Sequence, residues 1–256
     1  MKKLIAIAFA LLAFAPVAAV SASEGGHGLI QQSDANIKDP ESLQRGAKYF
    51  LNYCLSCHSL KYMRYSRMAS DLGLSEEEVM GSLNFTGTKF GETMTVAMRP
   101  EDAEKWFHKA PPDLSLTARV KHGGADWIYS YLKSFYVDPA QPLGWNNTVY
   151  PGVSMPHVLW ELQGKQAAVF ETHKAHGANG KDTETKTFSH FEQIAPGKLT
   201  AVEYDQVARD IAAFLEYAGE PAALKRTAIG WIVVLFLALF TFLTWLLKTE
   251  YWSDVH

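Results

Sequence analysis

The stretch Cys54-Leu55-Ser56-Cys57-His58 constrains this 256-residue chain more than any other part of its sequence. C-x-x-C-H is the attachment signature of c-type haem. Two thiols three positions apart on a helical turn can reach the two vinyl groups on one edge of a haem. The next residue, His58, then points its imidazole at the iron from the same turn. The sequence therefore predicts one covalently bound haem c, attached through Cys54 and Cys57, with His58 as an axial ligand of the iron.

Paired cysteines also occur in thioredoxin-like redox pairs and in zinc sites. A redox pair usually follows a strand in a βαβ unit, and the sequence shows no such unit around Cys54. A tetrahedral zinc site needs further cysteines or a paired-histidine motif, but the chain contains only two cysteines. Two cysteines this close together also exclude a disulfide framework. Haem attachment is therefore the interpretation that the motif favours.

The N-terminal residues 1–22 are predicted to be a signal peptide. Lys2 and Lys3 precede a short apolar run, and small residues at positions 20–22 offer a cleavage site, so the mature chain begins near Ser23. The alternative is an uncleaved anchor, but the apolar run is short for a membrane span. Export agrees with the haem motif because haem of this type is attached outside the cytoplasm.

A second apolar segment, residues 225–248, is predicted to be a transmembrane anchor. Its central part, residues 227–247, contains no charged residue. At ~1.5 Å per residue it is long enough to cross the ~30 Å core of a bilayer. Aromatic residues near both ends resemble the interfacial belts of membrane proteins: Trp231, Trp245, Tyr251 and Trp252. A buried helix of a soluble protein is the alternative, and residues 249–256 are expected to form a short cytoplasmic tail.

The charges that flank the anchor do not follow the positive-inside rule. Lys225 and Arg226 precede the span, and only Lys248 follows it closely. The signal peptide nevertheless commits the large N-terminal part of the chain to export. We therefore expect residues 23–224 to form an exported domain outside the cytoplasm, anchored by a single pass through the membrane.

The exported part is predicted to be mostly α-helical with long loops. One helix begins at Asp39 and Pro40, and a second extends over residues 204–217. Gly46 lies on a face of the first helix that also carries aromatic residues, which would let the two helices cross closely. Between them the sequence is rich in proline and glycine and shows no alternating strand pattern of useful length. Residues 173–188 are polar and are interpreted as a surface insertion.

A haem that carries electrons is expected to have methionine as its second axial ligand, because thioether ligation favours ferrous iron and raises the reduction potential. The candidates in the exported part are Met63, Met68, Met80, Met94, Met98 and Met155. The first two follow the motif too closely to reach the opposite face of the ring, and the next three lie in settings typical of core residues. Met155 lies in a proline- and glycine-rich loop that can be held rigidly across the haem. It is therefore favoured, while the other methionines and the isolated histidines stay open.

The chain resembles bacterial cytochrome c1, the c-haem subunit of the ubiquinol–cytochrome c reductase (cytochrome bc1) complex. The resemblance covers nearly the whole mature chain. The blocks that carry it are Cys54-Leu-Ser-Cys57-His58-Ser59-Leu60, Ala110-Pro-Pro-Asp-Leu-Ser115, His122-Gly-Gly124, Tyr150-Pro-Gly152, Met155-Pro156, Val207-Ala-Arg-Asp-Ile211 and Ala218-Gly-Glu-Pro221. The haem motif is shared by many cytochromes, whereas the Pro-Pro-Asp-Leu-Ser block and the C-terminal anchor make the resemblance specific.

This resemblance implies a class I cytochrome c-like haem domain and one C-terminal transmembrane helix. It also implies Met155 as the second axial ligand and Pro112 as a residue packed against the haem. The basic residue before the His-Gly-Gly element often neutralises a haem propionate in the family, and here that residue is Lys121. The aromatic residue after the element is commonly tyrosine, whereas this chain has Trp127.

The function implied by the resemblance is that of a one-electron carrier of the respiratory chain. Such a protein is not an enzyme on its own but a redox subunit of a quinol–cytochrome c oxidoreductase, beside cytochrome b in a dimeric complex. Its haem would accept electrons from the Rieske iron–sulfur subunit and pass them to a soluble or tethered c-type cytochrome. Two other functions stay open: a membrane-anchored cytochrome that serves a terminal oxidase, and a haem sensor with a labile sixth position.

The exported part is acidic, since its 19 basic and 25 acidic residues give a net charge of −6. This balance fits a basic partner or simply good solubility, and we expect no nucleic-acid partner. Two charge runs after the haem motif are either solvated surface or a means of steering the electron acceptor. They comprise Lys61, Arg64 and Arg67, and Glu76, Glu77 and Glu78. The sequence shows no Ser/His/Asp arrangement, paired-carboxylate motif or phosphate-binding glycine loop, so hydrolytic and nucleotide chemistry have little support.

Overall fold

A computed structural model of the chain describes residues 30–96, 98–176 and 182–253. The predicted signal peptide and the last three residues of the predicted tail lie outside this range. Helices dominate the described part, as the sequence predicts: α1 (Pro40–Tyr49), α2 (Tyr65–Leu72), α3 (Glu76–Ser82), α4 (Pro100–Phe107), α5 (Thr117–Val120), α6 (Gly124–Lys133), α7 (Trp160–Gln163), α8 (Ala201–Gly219) and α9 (Ala223–Tyr251). The strands are β1 (Leu60–Arg64), β2 (Thr93–Met94), β3 (Phe135–Val137), β4 (Trp145–Asn147), β5 (Gly164–His176) and β6 (Asp182–Pro196).

Helix α1 begins where the sequence predicts. The Asp39 side chain caps it by accepting hydrogen bonds from the backbone N–H groups of Glu41 and Ser42, and Pro40 occupies the first turn. The helix then continues into a π-helical turn, Phe50–Cys54. A π-helical turn holds more residues than an α-helical one and frequently lies at a functional site. Here it ends on the first cysteine of the haem motif.

The close crossing of α1 and α8 at Gly46 confirms the prediction made from that glycine. A Cβ atom at position 46 would lie 2.1 Å from the carbonyl oxygen of Asp210 and 2.8 Å from Cβ of Phe214. Beside this contact, the rings of Phe50 and Phe214 pack with their centroids 5.6 Å apart. Any side chain larger than that of glycine would push the helices apart, and the apolar contacts next to it would be lost.

Buried polar groups hold the same two helices together. The Asp210 side chain is fully buried and accepts hydrogen bonds from Ser42 Oγ at 2.6 Å, Arg45 Nε at 2.7 Å and Gln206 Nε2 at 2.8 Å. A buried carboxylate is costly unless it is paired and hydrogen-bonded in this way. The hydrogen bond to Asp210 also raises the pKa of Arg45, although desolvation opposes that shift.

The longest strands lie in a segment for which the sequence predicted no strands, and that prediction was wrong for this segment. Strands β5 and β6 form an antiparallel hairpin that includes most of the predicted insertion at residues 173–188. Its register shifts twice, between Lys165 and Gln166 and between Val169 and Phe170, which interrupts the two-residue alternation that reveals a strand. The exposure of its described polar residues confirms that the insertion lies on the surface.

Two glycines form the neck of this hairpin. A Cβ at Gly164 would lie 2.4 Å from the carbonyl oxygen of Ala195, and one at Gly197 would lie 2.2 Å from the carbonyl oxygen of Leu162. Gly164 also has a φ of 93°, in the left-handed region that side chains disfavour. The two segments of the hairpin are therefore in backbone contact where they leave the body of the protein.

Helix α9 confirms the predicted apolar span. It has 29 residues, and it is the one helix of the described chain that is long and apolar enough to cross a membrane. At ~1.5 Å per residue it is about 44 Å long, so both of its ends extend beyond a hydrocarbon core of ~30 Å. At its start, the Glu220 carboxylate forms ion pairs with Arg119 of α5 and with Arg226 of α9. This carboxylate therefore connects the anchor to the rest of the chain.

Gly46→Ala is expected to lower the free energy of unfolding by about 1–3 kcal/mol, because the methyl group enters a fully packed crossing. Gly81→Ala is the matched control, since Gly81 lies in α3 with no atom within 4 Å of the added Cβ. That change should be neutral or stabilising by up to ~1 kcal/mol. Thermal denaturation of the detergent-solubilised protein measures both variants, and equal midpoints would contradict the packing assigned to Gly46.

Candidate haem-binding site

The six residues that the sequence analysis assigns to the haem site all line one cavity of about 490 Å³. They are Cys54, Cys57, His58, Pro112, Lys121 and Met155. They come from three segments far apart in the sequence, so the fold brings them together. The cavity walls are mostly apolar, as expected for a pocket that holds a flat, largely apolar cofactor with a few polar groups in fixed places.

The haem motif forms a tight turn at the end of the π-helical segment. The backbone N–H groups of Cys57 and His58 both donate to the carbonyl oxygen of Cys54, at 3.0 and 2.8 Å. This turn presents both thiols and the imidazole to the same cavity. Burial, together with the neighbouring Cys57, raises the pKa of the Cys54 thiol to about 12. A redox-active cysteine usually has a lowered pKa, so this environment disfavours the thioredoxin-like alternative.

The orientation of His58 is fixed by the backbone of the Pro-Pro-Asp-Leu-Ser block. His58 Nδ1 lies 2.8 Å from the carbonyl oxygen of Pro112. A carbonyl only accepts, so Nδ1 carries the proton and Nε2 keeps a free lone pair. Burial lowers the pKa of His58, although the bond to Pro112 and the charge of Asp113 partly oppose that shift. The ring is therefore neutral at pH 7, as an iron ligand must be.

Hydrogen bonds attach this block to the chain that follows His58. The Asp113 carboxylate accepts from the backbone N–H of Lys61 at 2.9 Å and from that of Ser115 at 2.9 Å. The backbone N–H of Leu114 donates to the carbonyl oxygen of Ser59, also at 2.9 Å. The block that makes the sequence resemblance specific thus has a physical role, because it places the Pro112 carbonyl beside His58.

The loop that carries Met155 is held by two asparagines that the sequence analysis missed. Asn147 is fully buried, and its Oδ1 accepts from the backbone N–H groups of Val149 and Tyr150 at 2.9 and 3.0 Å. Asn146 Oδ1 accepts from the backbone N–H of Gly152 at 2.9 Å. A sequence signal was present, since asparagines just before a Tyr-Pro-Gly turn are typical of side chains that bond the backbone of a turn.

Among the six candidate methionines, Met155 alone lines the cavity. Met63, Met68 and Met94 are buried in the core, and Met80 Sδ accepts a hydrogen bond from Asn84 Nδ2 at 3.4 Å. The core position predicted from spacing is confirmed for Met94, whereas Met80 and Met98 are half-buried and lie outside the core cluster. Among the described histidines, His58 alone lines the cavity.

His157 lies close to Met155 in sequence but outside the cavity. It is buried, and its ring stacks on that of Phe135 with a centroid distance of 4.8 Å. Burial lowers the pKa of His157 to about 4, so it is neutral at pH 7. Within the described part of the chain its Nε2 has no hydrogen-bond partner. The packing therefore makes His157 a support of the loop that carries Met155.

Lys121 is a basic residue that lines the cavity. Its Nζ lies 4.8 Å from the ring centroid of Trp127 and 5.3 Å from that of Tyr150, within the range of cation–π contacts. Arg119, two positions earlier, turns away to its ion pair with Glu220. Lys109, which the sequence analysis did not single out, also lines the cavity.

Tyr131 is a further lining residue that the sequence analysis missed. Its hydroxyl lies 3.4 Å from Met155 Sδ. Its ring stacks on Trp127 at a centroid distance of 5.0 Å and meets the edge of Phe135, also at 5.0 Å. Burial raises the pKa of Tyr131 well above its ordinary value, so the hydroxyl stays protonated and is able to donate.

Two thiols, a neutral imidazole and a thioether on one mostly apolar cavity fit a covalently attached haem. Together with the apolar helix α9, these groups define the class of membrane-anchored c-type cytochromes. The sequence profile described as the Cytochrome C1 family matches residues 32–167 and 193–255. The chain belongs to that family. Its members carry a covalently bound c-type haem and act as an electron-carrying redox subunit of the cytochrome bc1 complex.

Relatives of the chain match over nearly its full length. It is 47% identical to a cytochrome c1 of Allochromatium vinosum over 256 residues, which is 100% of both chains. It is 43% identical to a protein of Nitrosomonas europaea named ammonia monooxygenase gamma subunit, over 98% of this chain and 99% of the relative. It is 29% identical to a cytochrome c1 of Rhodospirillum rubrum, over 93% and 92%. Recognition of the family from its sequence blocks is therefore confirmed.

The gap in the family match coincides with the outer part of the β5–β6 hairpin. The match stops at residue 167 and resumes at residue 193. In the hairpin, Gln166 and Gln193 pair with each other, so both edges of the gap lie at the same level of the hairpin. The paired residues next to the glycine neck therefore belong to the family pattern. Residues 168–192, beyond them, lie outside the family match.

Asn147→Ala is expected to destabilise the protein by about 1–3 kcal/mol, because it leaves the buried N–H group of Val149 and the part-buried N–H group of Tyr150 without an acceptor. Asn52→Ala is the control, since the exposed Asn52 side chain donates to the Lys48 carbonyl at 2.7 Å. That substitution should change stability by less than ~0.5 kcal/mol. Melting midpoints measured by circular dichroism compare the two, and an unchanged midpoint for Asn147→Ala would contradict the role of the asparagine.

Proposed function

We propose that the haem is attached through Cys54 and Cys57, with His58 and Met155 as the axial ligands of its iron. The observation that carries this proposal is that these four side chains share one cavity although they belong to separate segments. The bound haem supplies a one-electron ferric–ferrous couple. The protein contributes a neutral imidazole whose tautomer is fixed by Pro112, and a thioether on a loop held by asparagine side chains.

Pro112 and Lys121 take secondary roles in this proposal. Pro112 packs against the haem while its carbonyl orients His58. Lys121 neutralises a haem propionate from the rim, where aromatic rings already hold its ammonium group. Trp127 has no hydroxyl, so it cannot donate the hydrogen bond that a tyrosine hydroxyl would give at this position.

Electrons are proposed to arrive from the Rieske iron–sulfur subunit and to leave to a soluble or tethered c-type cytochrome. Support comes from the rim of the cavity, where Val120 is 77% exposed and Leu116 and Tyr150 are also exposed. An exposed apolar rim beside a lysine suits brief docking of a redox partner better than permanent burial. In this arrangement quinol oxidation belongs to cytochrome b and the Rieske subunit, and the chain alone is not an enzyme.

The proposed organisation places a cleaved signal peptide at residues 1–22 and the haem domain, residues 23–224, in the periplasm. The anchor at residues 225–248 crosses the bacterial inner membrane once, and residues 249–256 reach the cytoplasm. Two copies of the whole complex form a dimer. The span is supported by α9, and the orientation is supported by the signal peptide and by the covalent haem, which is attached after export.

The name of the Nitrosomonas relative raises a second function, that of a monooxygenase subunit. Within the described ranges, no group of three or more His, Cys, Asp or Glu side chains is arranged to hold a metal ion. The chemistry-bearing side chains that do converge are those of the haem cavity. This arrangement favours an electron carrier, both over the monooxygenase function and over a haem sensor, which would keep its sixth position open.

Met155→His is expected to leave the haem covalently attached and to lower its reduction potential, because imidazole stabilises ferric iron more than a thioether does. Redox titration of the purified protein measures the potential, and haem staining after denaturing electrophoresis confirms attachment. Met80→Leu is the matched control, because Met80 is a half-buried methionine outside the cavity. A potential unchanged in Met155→His would refute the ligand assignment.

An affinity-tagged chain, solubilised from its own membranes in mild detergent, is expected to retain cytochrome b and a Rieske protein as its main partners. Mass spectrometry of the eluate tests this composition. Recovery of a terminal oxidase in their place would support the alternative cytochrome and contradict the proposal.

Protease added to intact spheroplasts should degrade the haem domain, and protection of that domain would contradict the periplasmic orientation.

A further inference from the structure

We propose that Tyr131 is a positioning residue for Met155: its hydroxyl donates a hydrogen bond to the thioether sulfur and thereby raises the reduction potential of the haem. This inference rests on the proposed ligation of the iron by Met155. It assigns a role to a tyrosine that the haem motif and the family blocks leave out.

The contact between the two side chains is direct. Tyr131 Oη lies 3.4 Å from Met155 Sδ, and both residues line the haem cavity. Within the described part of the chain the hydroxyl has no other hydrogen-bond partner. Tyr131 is half-buried, and a hydroxyl shielded from water is costly without a partner, so the sulfur, although a weak acceptor, is the group that satisfies it.

Both ends of this hydrogen bond are fixed by the surrounding structure. The Tyr131 ring is held between Trp127 and Phe135, each with a centroid distance of 5.0 Å. Asn147 donates from Nδ2 to the Tyr131 carbonyl at 2.8 Å, while its Oδ1 holds the backbone at Val149. The same asparagine thus connects the helix of the donor to the loop of the acceptor.

The electronic consequence follows from the lone pairs of the thioether. A thioether sulfur has two lone pairs, and the one that accepts from Tyr131 leaves the other for the iron. The donated hydrogen also withdraws electron density from the sulfur, which makes it a poorer donor to ferric iron. Ferrous iron depends less on that donation, so the hydrogen bond favours the reduced state, as hydrogen bonds around a metal ligand commonly do.

A purely structural role for Tyr131 predicts a different result from the one proposed. Tyr131→Phe keeps the ring between Trp127 and Phe135 and removes only the hydroxyl. If the ring alone mattered, this variant would have the potential of the parent protein. Tyr136→Phe is the matched control, because Tyr136 is a half-buried tyrosine whose ring meets Phe170, away from the cavity.

The test is a redox titration of the full-length, haem-loaded chain in detergent. At a fixed ambient potential, Tyr131→Phe is expected to lower the ratio of ferrous to ferric haem by two- to tenfold. This range equals a fall of about 18–59 mV, at 59 mV per tenfold change for one electron. The absorption spectrum should still report methionine ligation. A potential equal to that of the parent and of Tyr136→Phe would overturn the inference.

Two further variants keep the result interpretable. Tyr131→Leu is a second side chain without a hydroxyl, and a fall of the same sign in both variants assigns the effect to the lost hydrogen bond. If only Tyr131→Leu lowered the potential, packing would be responsible and the inference would fail. Met155→His tests the ligation separately, so an effect of Met155→His without one of Tyr131→Phe would overturn this inference alone.

Discussion

The backbone contact between α1 and α8 at Gly46 is the constraint from which the haem cavity follows. It sets the position of the π-helical turn that continues α1, and that turn ends on Cys54. The buried Asp210 carboxylate, bonded from Ser42 and Arg45, fixes the same crossing with directional contacts. A hydrophobic contact alone would tolerate sliding of one helix along the other, whereas these hydrogen bonds specify one register. The thiols and the imidazole therefore emerge at a fixed place relative to the core.

Two loops complete the cavity, and each is fixed by hydrogen bonds to its backbone. Asp113 attaches the loop that carries Pro112 to the residues after the haem motif, and Asn147 attaches the loop that carries Met155 to α6. Loops of this kind lack the internal hydrogen bonds of helices and strands, so buried side chains must satisfy their backbone groups. These hydrogen bonds attach both loops to neighbouring elements, although the loops themselves lie outside the helices.

Four features were predictable because each has a local signature in the sequence: the haem motif, the glycine at the crossing, the apolar span and the methionine that lines the cavity. Tyr131, Asn146 and Asn147 were not singled out, because their roles depend on partners that the fold brings from other segments. The β5–β6 hairpin was missed for another reason, since its two register shifts and its two exposed faces remove the alternation by which strands are found. Local patterns thus identify the cofactor and the residues proposed to hold it, whereas the contacts around those residues are visible only in three dimensions.

The glycine neck of the hairpin has a consequence for how this chain can diverge from its family. Gly164 and Gly197 bring the two strands into backbone contact where they leave the body of the protein. The ends of the segment between them are already joined there, so lengthening it costs little additional closure entropy, about 0.6 kcal/mol for each doubling. Residues 168–192, which the family match leaves out, lie beyond that neck. Evolution can therefore lengthen or shorten the outer part of the β5–β6 hairpin, and change the surface that it contacts, with little effect on the folding of the haem domain.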